Sequence, residues 1–165
     1  MKSLRLFAGG LLFAGSVVAQ AAPSTAVTVG GTVDKPATWS AETLRALPQH
    51  EVDVPAEHGD GTARVYRGPL LKDVVKAAQI TDADRLALRQ TLVVAHATDG
   101  YVALFTWAEL FTTPTGEQVV LALTRDGAPL GADEGAFALV SGVDKPTGPR
   151  HVHRLDAIDV RRVSK

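Results

Sequence analysis

Between Val27 and Val163 the chain falls into short runs of β-branched and apolar residues, most of them bounded by Gly, Pro or Asp-Gly. Runs of that length and make-up predict strands bounded by turns. The clearest are "AVTVGGTVD" (26–34), "TLVVAHA" (91–97), "YVALF" (101–105), "QVVLALT" (118–124), "AFALVSG" (136–142) and "AIDVRRV" (157–163). "HEVDVPAEHGDGTARVYRG" (50–68) is two extended runs around a Gly-Asp-Gly turn, a hairpin signal.

Helical signals are few and scattered. Ser40 is placed to cap a short helix that ends before Pro48. Leu70, Leu71, Val74, Val75 and Ala78 form one apolar stripe, and Pro69 suits the first turn. "YRG" (66–68) opens that helix. Thr106 to Glu109 fits a capping box. "TDADRLALRQ" (81–90) is polar and irregular. Strands that outnumber scattered helices predict an α+β domain around a mixed or antiparallel sheet, not a doubly wound array.

The start of the chain carries a different message. Lys2 and Arg5 precede an apolar run over 6–18, and Ala19 to Ala21 is an A-x-A cleavage pattern. This is the layout of a secretory signal peptide, too short for a comfortable membrane span. The expected organisation is a signal peptide over 1–21, a linker over 22–25 and a single domain over 26–165, periplasmic or secreted. Cleavage removes two of the 17 basic residues and none of the 18 acidic ones, so the mature protein is mildly acidic. No basic stripe provides a footprint for nucleic acid. The chain contains no cysteine, which excludes a thiolate metal ligand and a thiol nucleophile.

Five segments in order, "VGGTVDKPATWSAETLRALP", "YRGPLLKDVVKAAQI", "ATDGYVALFTWAEL", "LALTRDGAPLG" and "GAFALVSGVDKPTGPRHVHRLDAIDV", resemble the molybdopterin-binding domain of the sulfite-oxidase type. In particular they resemble its small, exported bacterial versions. The resemblance implies the fold and a pterin pocket. It also implies, in the enzymes, a molybdenum held by a pterin dithiolene and one protein cysteine. That position would fall near Val94 to His96, where this chain offers none. A His of the enzymes' phosphate-binding segment is replaced by Glu134, and no Arg stands in the stretch Ala136 to Leu139 just after it. The resemblance, with the cysteine missing, therefore implies a periplasmic pterin-type ligand-binding module that is non-catalytic and presents its ligand to a membrane signalling protein. The alternative is a molybdopterin-dependent oxidoreductase, or a subunit of one, with an altered metal site.

Candidate ligand contacts follow from pterin chemistry, a flat ring with a donor and acceptor edge. Asp99 offers a carboxylate to such an edge, and Tyr101 a ring to stack on it; the plain alternative is a turn Asp before a core Tyr. Tyr66 and Arg67 stand at a helix start that could meet an anion, or form an ordinary turn. His96 lies on an apolar strand, as a pocket residue or a satisfied edge residue. Arg150, His151 and His153 in "GPRHVHRLDAIDV" match the basic segment that the resemblance places ahead of the last strand. Arg150 suits a forked grip on a carbonyl or carboxylate. His151 and His153 also spell His-x-His. The i, i+3 spacing of Val152, Leu155 and Ile158 predicts a helical turn there, in which the two imidazoles diverge. His50, His58 and His96 are scattered, so no third donor is visible and no metal is expected.

Overall fold

The computed structural model describes residues 24–55, 62–81, 84–145 and 148–163. The expected signal peptide, part of the linker and the Gly-Asp-Gly tip lie outside them. No helix among the described residues is long and apolar enough to cross a membrane.

The extended runs form strands as their composition predicts, and two short strands, at Ala37–Trp39 and Ala128–Pro129, lie outside them. In chain order they are β1 (Val27–Gly31), β2 (Ala37–Trp39), β3 (His50–Val54), β4 (Arg64–Gly68), β5 (Thr91–Ala97), β6 (Val102–Thr106), β7 (Val119–Ala122), β8 (Thr124–Arg125), β9 (Ala128–Pro129), β10 (Ala138–Ser141) and β11 (Leu155–Arg162). The helices are α1 (Ala41–Arg45), α2 (Leu71–Ala78), α3 (Arg85–Arg89) and α4 (Trp107–Thr112). The domain is α+β, with a mixed sheet at its centre.

One sheet has the order β2-β1-β11-β5-β6, and a second the order β3-β4-β8-β9. β1 runs parallel to β11; the other pairings are antiparallel. A ribbon of β10 and β7 lies between two apolar clusters. Alternate residues of a strand face opposite sides. Val119, Leu121 and Leu139 therefore join the large core over the first sheet and α2. Val120, Ala122, Ala138 and Val140 join a smaller core with Val52, Val54 and Tyr66. Each fully buried Leu or Phe in these layers contributes about 1.5–3 kcal/mol relative to exposure.

Local signals are met where they are strong. Ser40 caps α1 by accepting from the Thr43 amide, and Thr106 and Glu109 complete both bonds of the capping box on α4. Leu71, Val74, Val75 and Ala78 are the buried face of α2.

Two expectations are corrected. The 81–90 segment contains α3, whose N-cap Asp84 accepts from the Leu86 and Ala87 amides at 2.8 and 2.7 Å. Only Ala87 of that helix is buried, so no apolar stripe announces it. "YRG" does not open a helix; it ends β4, and α2 begins at Leu71. β4 also approaches β7 so closely there that a Cβ on Gly68 would meet the Leu121 carbonyl oxygen at 1.9 Å.

Candidate functional site

Tyr66 and Arg67 leave opposite faces of β4, because neighbours on a strand must. Tyr66 turns inward and is 4% exposed. Its hydroxyl donates to Glu134 Oε1 at 2.7 Å. Glu134 is 1% exposed, in the turn ahead of β10, and its Oε2 lies 2.7 Å from Arg125 Nη1. Arg125 is opposite Tyr66 in the β4–β8 register, so sheet pairing sets this cation beside the phenol. Burial, then the hydrogen bond to Glu134, raises the Tyr66 pKa far above the ordinary phenol value, with Arg125 opposing. Arg125 is held protonated by Tyr66 and Glu134.

His151 and His153 lie over this group. The expected helical turn stops at Gly148–Arg150 and does not include them. Val152 instead bridges Leu139 antiparallel, exchanging two backbone hydrogen bonds of 2.9 Å. Val152 enters the core with 0% exposure, so its two neighbours emerge on the other side together. Their ring centroids are 4.4 Å apart. His151 meets the Tyr66 ring edge-on at 5.4 Å, and its Nε2 is 3.7 Å from Glu134 Oε1. The Arg154 amide donates to the Glu134 carbonyl at 2.7 Å and the Leu155 amide to Phe137 at 2.8 Å, which fixes the two segments to each other. The third donor that the sequence does not reveal is Glu134: its carboxylate and the two imidazoles place ligand atoms within 4.8 Å of one another.

Arg150 leads elsewhere. Its Nε donates to Asp144 Oδ2 at 2.7 Å, its Nη2 to Asp144 Oδ1, and its Nη1 to Glu109 Oε1 at 2.5 Å. The guanidinium lies over the Phe105 ring, 4.6 Å from its centroid. Asp144, then Glu109, raises its pKa against the opposing effect of burial. The fork expected to grip a ligand is closed on protein carboxylates, which ties α4 and β6 to the segment before β11. Tyr101 supports the same segment: its hydroxyl donates to the Pro149 carbonyl at 2.8 Å. Asp99 accepts from the Tyr101 amide at 3.0 Å and is exposed in the β5–β6 turn.

Two candidates belong to neither the Glu134 group nor the Arg150 segment. Arg67 points outward, 4.0 Å from Glu51, and lines a cleft of about 230 Å³ with Arg45, Gln49, Leu123 and Thr124. His96 is on the face of β5 opposite Val93, Ala95 and Ala97, which enter the core. The structure thus brings together Tyr66, His151 and His153, and separately Tyr101 with the Arg150 segment. Glu134 and Arg125 are the members that sequence reasoning misses. Glu134 stands out in the sequence only where the resemblance places a phosphate-binding His, with nothing to set it beneath the two histidines, and Arg125 has no local signal because its partner is set by β4–β8 pairing.

Residues 14–163 match the oxidoreductase molybdopterin-binding domain. The chain belongs to that family. Among solved structures it resembles the sulfane dehydrogenase SoxCD from Paracoccus pantotrophus, with a TM-score of 0.64 at 16% identity. The match covers 85% of this chain but 39% of the SoxCD chain, so the domain spans well under half of that relative. At that identity the likeness shows the fold alone. No curated protein matches the sequence.

Family membership points to a molybdopterin-type ligand. The thiolate-held metal that the resemblance implies does not fit this donor set. No cysteine exists to supply the thiolate. Arg125 and Arg150, which could meet a phosphate, are each paired with protein carboxylates. What the site offers is imidazole, phenol and carboxylate in a largely buried setting.

Proposed function

We propose that this domain is a periplasmic pterin-type ligand-binding module that holds its ligand without turning it over and presents it to a membrane signalling protein. The observation that carries the reading is a molybdopterin-binding fold in which the polar cluster beneath β4 contains only nitrogen and oxygen donors. Tyr66, His151 and His153 provide aromatic rings and hydrogen-bonding edges, and Tyr101 offers a separate exposed ring beside Pro149. The apolar N-terminal run with its A-x-A pattern supports export.

Titration calorimetry of purified protein with reduced and oxidised pterins tests the binding step. Saturable heat with a thermal shift is expected; neither signal with any pterin would sink the reading. Mass spectrometry of small molecules released from natively purified protein identifies the ligand, and co-purification with a membrane sensor tests the partner.

The second reading is a molybdopterin-dependent oxidoreductase, or a subunit of one, with an altered metal site. The convergence of Glu134, His151 and His153 favours it. Elemental analysis of protein from a molybdenum-competent host separates the two, because the first reading requires no molybdenum.

A further inference from the structure

We infer that Glu134, His151 and His153 form a binding site for a divalent first-row transition cation of the zinc class. Two imidazoles and one carboxylate suit such ions, which accept nitrogen and oxygen donors together. Metal–donor bonds of about 2.0–2.2 Å put ligand atoms roughly 3.4 Å apart around a tetrahedral ion. His151 Nε2 and Glu134 Oε1 are already 3.7 Å apart, and the full set lies within 4.8 Å.

The surroundings hold the donors in place. Metal-ligating carboxylates are themselves hydrogen-bonded, and those outer contacts fix their orientation. Arg125 is on Oε2, leaving Oε1 toward the His151 imidazole. The Tyr66 hydroxyl also reaches Oε1, but a carboxylate oxygen has two lone-pair positions and can serve a cation and a phenol together. The paired backbone of Val152 and Leu139 keeps the two histidines on one side, and the Arg154–Glu134 hydrogen bond holds the carboxylate's turn beneath them. Three protein donors leave a coordination position for water or a small ligand. The inference does not depend on pterin binding, and its test contains no pterin.

Full-length protein, purified without a polyhistidine tag and stripped with chelator, is titrated with Co²⁺ and with Zn²⁺. The expected result is one high-affinity ion per chain, with a Co²⁺ visible spectrum that Zn²⁺ displaces. His153→Ala, at a partly exposed position, weakens affinity by at least about 10-fold while the fold is retained by circular dichroism. His50→Ala, outside the cluster, leaves it unchanged. Should His153→Ala bind Co²⁺ as tightly as the parent, or the parent bind none at stoichiometric concentration, the site is overturned. If His153→Ala fails to fold, His151→Gln and His153→Gln take its place, and unchanged affinity in both overturns the site equally.

Discussion

The Tyr66 hydroxyl and the Glu134 carboxylate meet at 2.7 Å although 68 residues separate them in the chain. That one contact joins the second sheet to the turn ahead of β10, and it is the base of the candidate site. Burying a carboxylate is unfavourable unless it is paired and hydrogen-bonded. Arg125 and Tyr66 together meet that requirement.

Replacing Tyr66 with Phe leaves the ring packing and removes the donor. The expected loss is about 1–3 kcal/mol of unfolding free energy, because a buried acceptor loses one partner. Urea denaturation of parent and variant measures it.

Alkaline pH gives a second signature of the same phenol. Its folded pKa lies above its unfolded value, near 10, through burial and the Glu134 bond. Its stabilising contribution is therefore complete below about pH 10 and is lost as pH rises toward the folded value. Denaturation midpoints across that window should fall more steeply for the parent than for Tyr66→Phe. An identical slope in both would show that the phenol is not the group concerned.

Arg150→Leu should destabilise the fold rather than leave a neutral surface change. Asp144 and Glu109 lose their shared cation, and a partly buried pair broken on one side costs about 1–3 kcal/mol at this degree of exposure. Its effect on pterin affinity should follow the loss of stability, since the guanidinium is closed on protein groups. Thermal denaturation alongside calorimetry separates the two quantities.

Gly68→Ala should be among the most damaging single changes. The new methyl would meet the Leu121 carbonyl oxygen at 1.9 Å, a backbone atom that cannot rotate away. Overpacking of this kind costs about 1–3 kcal/mol or more. The fraction of soluble protein and its melting temperature report it.

Residue order determined the longer strands, the caps on α1 and α4 and the apolar face of α2, because each depends on neighbours a few positions away. It also determined the α+β class and, through five motifs in order, the family. α3 was hidden because almost none of it is buried. The site was only half legible: Tyr66, His151 and His153 stand out in the sequence, yet nothing local unites them. Strand pairing brought Arg125 beside Tyr66, and an isolated bridge between Val152 and Leu139 turned an expected helical pair of histidines into a same-side pair. Glu134 became the centre of the cluster because chain reversal, not sequence proximity, closes a turn onto β4. Short-range periodicity can specify which residues enter a core; which polar groups share a buried volume depends on contacts across the whole chain, and only the folded structure fixes those.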